Sequence, residues 1–203
     1  MRTYTLKKIH GTPDWSTVPV MPIDNLLWTE SVDITAQAQI CWDEDALYLR
    51  MEAVEPHIRK EETDPLAEIC SDSCLEFFLQ LTDGPTYLNF EINPLCNYLI
   101  GQGDGDVDNR LRIIVPDFET RMEPKAELTD KGWVLTYKVP FSFVRLFYPA
   151  FEAKEGVQVR ANCYKCGDKT VRPHFLAWNP VVNEEPAFHK PEYFGCLIFG
   201  GNK

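Results

Sequence analysis

An all-β fold, a sandwich or barrel with long irregular loops and at most short helices, follows from three properties of the sequence. Short segments rich in β-branched and aromatic residues alternate apolar with polar positions. Gly, Pro, Asn and Asp clusters separate them at close intervals, as in sandwiches and barrels. Helical periodicity is almost absent. In chain order the expected strands are Ala36–Trp42, Ala46–Val54, Cys74–Leu81, Thr86–Asn93, Tyr98–Gln102, Ala126–Leu128, Trp133–Val139, Val157–Cys166 and Tyr193–Phe199. Trp42-Asp43-Glu44-Asp45 turns the first pair into a hairpin, and Thr129-Asp130-Lys131-Gly132 introduces a later strand. Phe141–Phe147, after Pro140, is the one short helix expected. Pro13, Pro19 and Pro22 make residues 1–35 an irregular segment that should wrap one end, and Arg172–Pro191 reads as a long loop. With 203 residues, no linker and no internal repeat, residues 1–203 are expected to form one domain.

The most informative element is the hairpin of Cys74–Leu81 and Thr86–Asn93 about Asp83-Gly84. Pro85 cannot donate a closing hydrogen bond, so a four-residue loop is an alternative to a two-residue turn, in the same register. Folding about that dipeptide sets Gln80 against Tyr87, Phe78 against Asn89, Glu76 against Glu91 and Cys74 against Asn93. Leu75, Phe77, Leu79, Leu88, Phe90 and Ile92 share the other face and must be core. Two glutamates directly opposed on adjacent strands repel and cost stability. A cation, a shared proton or a ligand is the usual reason for a sheet to keep them.

The remaining strands sort in the same way. Leu47, Leu49, Met51 and Ala53, then Trp133, Leu135, Tyr137 and Val139, then Val157, Val159, Ala161 and Cys163 form inward sets. The opposite positions assemble Arg50, Glu76, Asn89, Glu91, Asn93, Lys138, Arg160, Asn162 and Tyr164 into one expected polar face. Amides, carboxylates and a guanidinium on one surface suit recognition of adjacent hydroxyls. An apolar platform for the C–H face of a ring would come from loop aromatics, Trp178 and Phe188 first, with Trp28, Trp42, Tyr164 and Tyr193 as reserves. His174 and His189 lie beside these aromatics as candidate rim donors.

Composition excludes several partners. Acidic residues outnumber basic ones 31 to 20, for a net charge of −11, which disfavours nucleic acid and anionic membranes. No run of about 18 apolar residues exists to span a bilayer. Met1–His10 has basic residues but no apolar stretch, so no signal peptide is expected and a cytoplasmic protein is. Seven cysteines match no secreted disulfide framework. Cys163-x-x-Cys166 lies on a strand, where residues three apart point to opposite faces, so it is not a metal half-site. Asp104, Asp106 and Asp108 resemble the opening of a calcium loop, but the sixth position is Asn109 and the twelfth Val115. A flexible acidic turn is expected there, with calcium as the alternative; otherwise no cofactor or metal is expected.

Three segments together resemble family 9 carbohydrate-binding modules. These are Trp42-Asp43-Glu44-Asp45-Ala46-Leu47-Tyr48-Leu49, the pair Asp72–Phe78 with Asn89–Pro94, and Phe188–Leu197, covering roughly residues 36 to 199. The resemblance implies a DOMON-like antiparallel β-sandwich of the jelly-roll type that binds a mono- or oligosaccharide on its concave sheet without catalysis. In xylanase-attached members of the family two tryptophans sandwich a terminal sugar. Carried over, Glu76, Asn93 and Asn162 match polar family positions. Phe188 stands where one tryptophan is expected, no aromatic matches the other near Glu68–Cys70, and Glu91 replaces an arginine. The ligand-binding set expected on both grounds is Glu76, Glu91, Asn93, Arg160, Asn162, Tyr164, His174, Trp178, Phe188 and His189, with no catalytic residue. Two alternatives remain open. One is a glycoside hydrolase using Glu76 and Glu91, since retaining enzymes place their carboxylates about 5–5.5 Å apart. The other is a haem or metal carrier ligated by His174, His189 or Met51.

Overall fold

Alternation written into the strands decides how the chain closes on itself. In a computed structural model, which describes residues 1–30 and 32–201, the elements are β1 (Thr3–Lys8), β2 (Met21–Ile23), β3 (Asn25–Leu26), β4 (Thr35–Trp42), β5 (Ala46–Val54), β6 (Cys74–Gln80), β7 (Tyr87–Ile92), β8 (Tyr98–Gly103), β9 (Leu111–Ile113), α1 (Phe118–Met122), β10 (Lys125–Thr129), β11 (Gly132–Pro140), α2 (Phe141–Val144), β12 (Gln158–Cys166), β13 (Phe175–Ala177) and β14 (Gly195–Phe199). Ser31, inside the expected N-terminal wrap, and the last two residues of the expected domain lie outside the described residues. The fold is all-β, with two α-helices of about one turn and a few 3-10 turns among the described residues.

The strands follow one another in the order β10-β11-β5-β4-β1-β14-β12-β6-β7-β8-β9. This makes a single curled sheet with two arms. Leu47, Leu49 and Met51 of one arm and Leu75, Phe77 and Phe90 of the other belong to one buried apolar cluster, so the arms close over a shared core. β1 corrects the expected wrap of residues 1–35. It runs parallel to β14 through Thr3–Leu6 and parallel to β4 through Lys7 and Lys8, and so joins the arms. The sheet is therefore mixed, with antiparallel pairing elsewhere. Tyr4 and Leu6, the alternating apolar residues of β1, enter the core.

The β6–β7 hairpin has the register read from sequence, with Glu76 opposite Glu91 and Phe78 opposite Asn89. Its second face is not a wet surface. Leu27, Ile69, Phe78, Tyr87, Tyr164, Val181, Phe188 and Phe194 form a second buried cluster there, under loops from the N-terminal region and from residues 178–194. Every residue of β6 and β7 is buried as a result. The expected polar face also divides. Arg50 and Lys138 belong to β5 and β11, on the other arm, where they pair with Glu52 and Glu123.

Candidate functional site

The covering loops leave one gap over β6, β7 and β8. It is a cleft of about 420 Å³ lined by Glu76, Asn89, Glu91, Gly101 and Cys166 from the strands, with Trp28, Phe175, Phe188 and His189 on one side and Arg110 and Arg112 among the residues completing the wall. The floor follows directly from the period-2 geometry of the strands. Glu76 and Glu91 face each other, Asn89 precedes Glu91 by two residues, and Gly101 stands opposite Asn89 on β8. Glycine is required at that point, because a Cβ there would lie 2.6 Å from Asn89 Oδ1. The space it leaves lets Asn89 Nδ2 donate to Glu91 Oε1 at 3.0 Å.

Both glutamates are almost fully enclosed. Burial, reinforced by the neighbouring Glu91 charge, holds the Glu76 carboxyl well above the ordinary carboxylate range, against the opposing effect of a Cys166 Sγ contact of 2.8 Å. Burial likewise pushes Glu91 up to about 7, and the Asn89 amide and the Arg112 charge pull the other way. Near neutrality the pair thus carries less than its full formal charge, and a protonated carboxyl can donate a hydrogen bond as well as accept one. His189 is neutral. Burial and the Arg110 charge bring its imidazole down to about 3. Its Nδ1 lies 2.8 Å from the Tyr87 hydroxyl. With that hydroxyl donating to Nδ1, Nε2–H is the free donor, 4.0 Å from Glu91 Oε1.

The aromatic side is built in two layers. Phe188 stacks on Tyr164 with ring centroids 4.1 Å apart and planes 9° from parallel. Trp28 lies against Phe188 at 5.5 Å and against Phe175 at 5.7 Å. The Trp28 indole is pinned by its Nε1–H, which donates to the Asn183 carbonyl at 2.7 Å. Its backbone sits in the left-handed region, with φ of 53°. Across the cleft, Arg112 donates to the carbonyls of Pro65, Leu66 and Ala67, tying that loop to β9.

Of the ten residues expected at the site, the structure brings four to the cleft wall: Glu76, Glu91, Phe188 and His189. Tyr164 supports Phe188 from beneath and donates to its carbonyl at 3.2 Å. The other five have structural partners elsewhere. Trp178 is in the main core, its ring over Gly195, where a Cβ would meet it at 2.4 Å, so it cannot be the platform. His174 lies on the opposite side of β12 in a buried network. Its Nε2 accepts from Lys165 at 2.7 Å, its Nδ1–H is 2.8 Å from the Arg172 carbonyl, and Lys165 pairs with Glu55 at 3.1 Å. Asn93 holds the preceding loop, donating to the Glu62 carbonyl and to Asp72. Asn162 fastens the Asn179 backbone through both its amide groups. Arg160 donates to the carbonyls of Glu192 and Phe194, beside a separate hollow at the hairpin turn. With Met51 fully in the core and both His174 nitrogens engaged, neither is available as an axial ligand to haem.

Residues missing from the expected set are Asn89, Arg110, Arg112 and Phe175, with Trp28 promoted from reserve. Asn89 was readable as the outward neighbour of Glu91 on the same strand. Arg112 and Phe175 sit on strands of three residues, too short to show alternation. Arg112, whose guanidinium is held by the Pro65–Ala67 carbonyls, also lowers the Glu91 carboxyl electrostatically.

Fold and cleft together define a class: a β-sheet binding module with a carboxylate-and-amide floor beside an aromatic wall. The chain belongs to carbohydrate-binding family 9, whose profile matches residues 12–199. A putative carbohydrate-binding protein from Bacteroides uniformis has the same fold, with a TM-score of 0.85 at 25% identity over 98% of this chain and 99% of that one. A family 9 module from Caldicellulosiruptor kristjanssonii in complex with cellotriose gives 0.70 at 14% identity, over 100% and 95% of the two chains. The same organism's module in complex with glucose gives 0.69 at 15%, over 100% and 97%. No curated protein sequence matches this chain.

Proposed function

We propose that this protein binds carbohydrate without altering it, seating one or two sugar units in the cleft above Glu76 and Glu91. The observation that carries the reading is the juxtaposition of a flat aromatic wall with a floor of oriented carboxylate and amide groups in a cavity of about 420 Å³. A pyranose presents the same two faces, C–H groups on one and hydroxyls at its edge. The volume is near the small end of the roughly 300–1,000 Å³ common for ligand sites, which suits a chain end or short oligosaccharide more than the middle of a polymer.

Division of labour follows from the chemistry of each group. Phe188, stiffened by Tyr164, supplies the stacking plane, and Trp28 and Phe175 extend it. Asn89 and Glu91 read a pair of adjacent hydroxyls, with His189 Nε2–H and the Arg110 guanidinium donating from the rim. The relatives that hold cellotriose and glucose make β-linked glucose sugars the first panel to test. Calorimetric titration with glucose, cellobiose, cellotriose, xylose and galactose, read alongside Trp28 fluorescence, should give saturable binding for at least one. The Glu91→Gln variant should bind roughly 10- to 100-fold more weakly, the loss of one charge-assisted hydrogen bond. No heat and no fluorescence change at millimolar sugar would remove the reading for that panel. Turnover of a glycoside that Glu91→Gln abolishes would replace binding with hydrolysis.

A further inference from the structure

Beside Glu76 lies a pair of thiols to which sugar binding assigns no role. Cys74 and Cys166 are directly opposed on β6 and β12. Glu76 is two residues along β6 from Cys74 and so on the same face of the sheet. One ligand atom from each of the three, two thiol sulfurs and a carboxylate oxygen, all lie within 4.8 Å of one another. All three side chains are buried. We propose that Cys74, Glu76 and Cys166 form a binding site for a thiophilic divalent cation of the zinc type.

Geometry fits that assignment. With Zn–S near 2.3 Å and Zn–O near 2.0 Å, ligand atoms in a tetrahedral shell stand roughly 3.3–3.8 Å apart. The three ligand atoms already lie within 4.8 Å of one another, and in such a shell the Cys166–Glu76 contact would open from 2.8 Å. Two sulfur ligands select zinc-like ions over calcium or magnesium, which prefer all-oxygen shells. Three protein ligands leave a fourth position toward the cleft, where Cys70 also lines the wall. Residue spacing alone points elsewhere. Cys163, the partner suggested by the C-x-x-C pattern, lies in the main core, while Cys166 belongs to the outer cluster with Cys74.

Electrostatics supply the reason. Glu76 faces Glu91 across the ladder, and its own polar contact is a thiol, not a cation. A proton can relieve that repulsion, and so can a bound dication. Loading displaces the protons of both thiols and of Glu76 into solvent, and no oxidation is involved.

The test uses the full chain, purified with a reductant, stripped with a chelator and titrated with cobalt(II) chloride, then zinc chloride. The expected result is one equivalent of cobalt, with thiolate-to-cobalt charge-transfer bands and intense tetrahedral visible bands that zinc abolishes. Cys74→Ala and Cys166→Ala should each remove the charge-transfer bands. Cys96→Ala, in a turn whose thiol is influenced by Ala126 and Glu119, should keep them. X-ray absorption of the zinc-loaded wild type should show a pair of sulfur neighbours, which decides the matter even where a variant fails to fold. No uptake, a shell without sulfur, bands that persist in a Cys74→Ala/Cys166→Ala double variant, or a Cys74–Cys166 disulfide that survives reductant and zinc would each overturn the site. Sugar affinity measured on the stripped protein tests the carbohydrate reading separately.

Discussion

Two aromatic side chains from the same stretch of sequence have opposite fates, and the difference is set by what each ring meets. Trp178 is 3% exposed and its indole rests on Gly195, a contact across 17 residues that no local pattern reveals. Its Pro173–Pro180 surroundings look like a loop, yet β13 and the Trp178 N–H bond to the Cys163 carbonyl at 2.8 Å fix it against β12. Phe188 has one face on Tyr164 and also lines the cleft. Replacing Trp178 by Phe should therefore lower stability by roughly 1–3 kcal/mol, as expected for a core volume change, and leave sugar affinity within about twofold. Replacing Phe188 by Leu keeps apolar bulk but removes the plane. Binding should weaken by about tenfold, the upper range for one aromatic stacking contact, together with a loss of stability of roughly 1–2 kcal/mol, because Phe188 is also packed on Tyr164 in the second cluster. Paired thermal melts and calorimetric titrations check both, and the assignment of the platform fails if Trp178→Phe is the variant that loses affinity.

At the scale of elements, legibility tracked strand length and the range of the contacts. The β6–β7 hairpin was readable to the residue because its register depends only on alternation and one turn. β1 was not. Thr3–Lys8 does alternate, but its two neighbours in the sheet, β4 and β14, come from distant parts of the sequence, Thr35–Trp42 and Gly195–Phe199, and parallel pairing carries no turn signature. The sealing of the outer sheet face was hidden for a similar reason: it depends on loops whose apolar residues, Leu27, Val181 and Phe188, have no periodicity. β8 shows how one element controls the site from the side. Gly101 makes room for Asn89, and Asn89 orients Glu91. Gly101→Ala should push the amide off its acceptor without straining the backbone, since Gly101 is not in a glycine-only conformation. Affinity should drop by roughly an order of magnitude, comparable with losing a hydrogen bond to a charged group. The Glu91 titration should also move upward, because the Asn89 amide is, with the Arg112 charge, one of the influences that oppose the rise caused by burial. Carboxyl NMR titration and calorimetry on the variant measure both, and an unmoved Glu91 together with wild-type affinity would show that the floor does not depend on this pairing.

Across the whole molecule, the buried titratable groups pull stability in opposite directions with pH. Glu91 titrates at about 7 when folded and Glu76 well above the ordinary range, both raised first by burial. The native state therefore holds protons that the unfolded chain has released, and these groups add stability as pH falls from about 7 toward the unfolded carboxylate value near 4.3. The histidines do the reverse. His174 is held down to about 4 by burial and the Lys165 charge, and His189 to about 3 by burial and Arg110. An unfolded chain protonates them near pH 6.5, so their stabilisation is lost progressively below that point. The two windows overlap between roughly pH 4.5 and 6.5, where the opposing slopes offset. Wild-type protein should accordingly show a shallow dependence of unfolding free energy on pH in that range. The Glu76→Gln/Glu91→Gln double variant removes one side of the balance. It should be more stable than wild type at pH 8, where the buried carboxylates are most costly, and should lose stability steeply as pH falls below 6.5. Urea unfolding at half-unit pH intervals resolves the two curves. Parallel curves for the two proteins would mean that the facing glutamates do not hold raised pKa values in the folded chain, and the explanation of the cleft floor as a protonated pair would go with them.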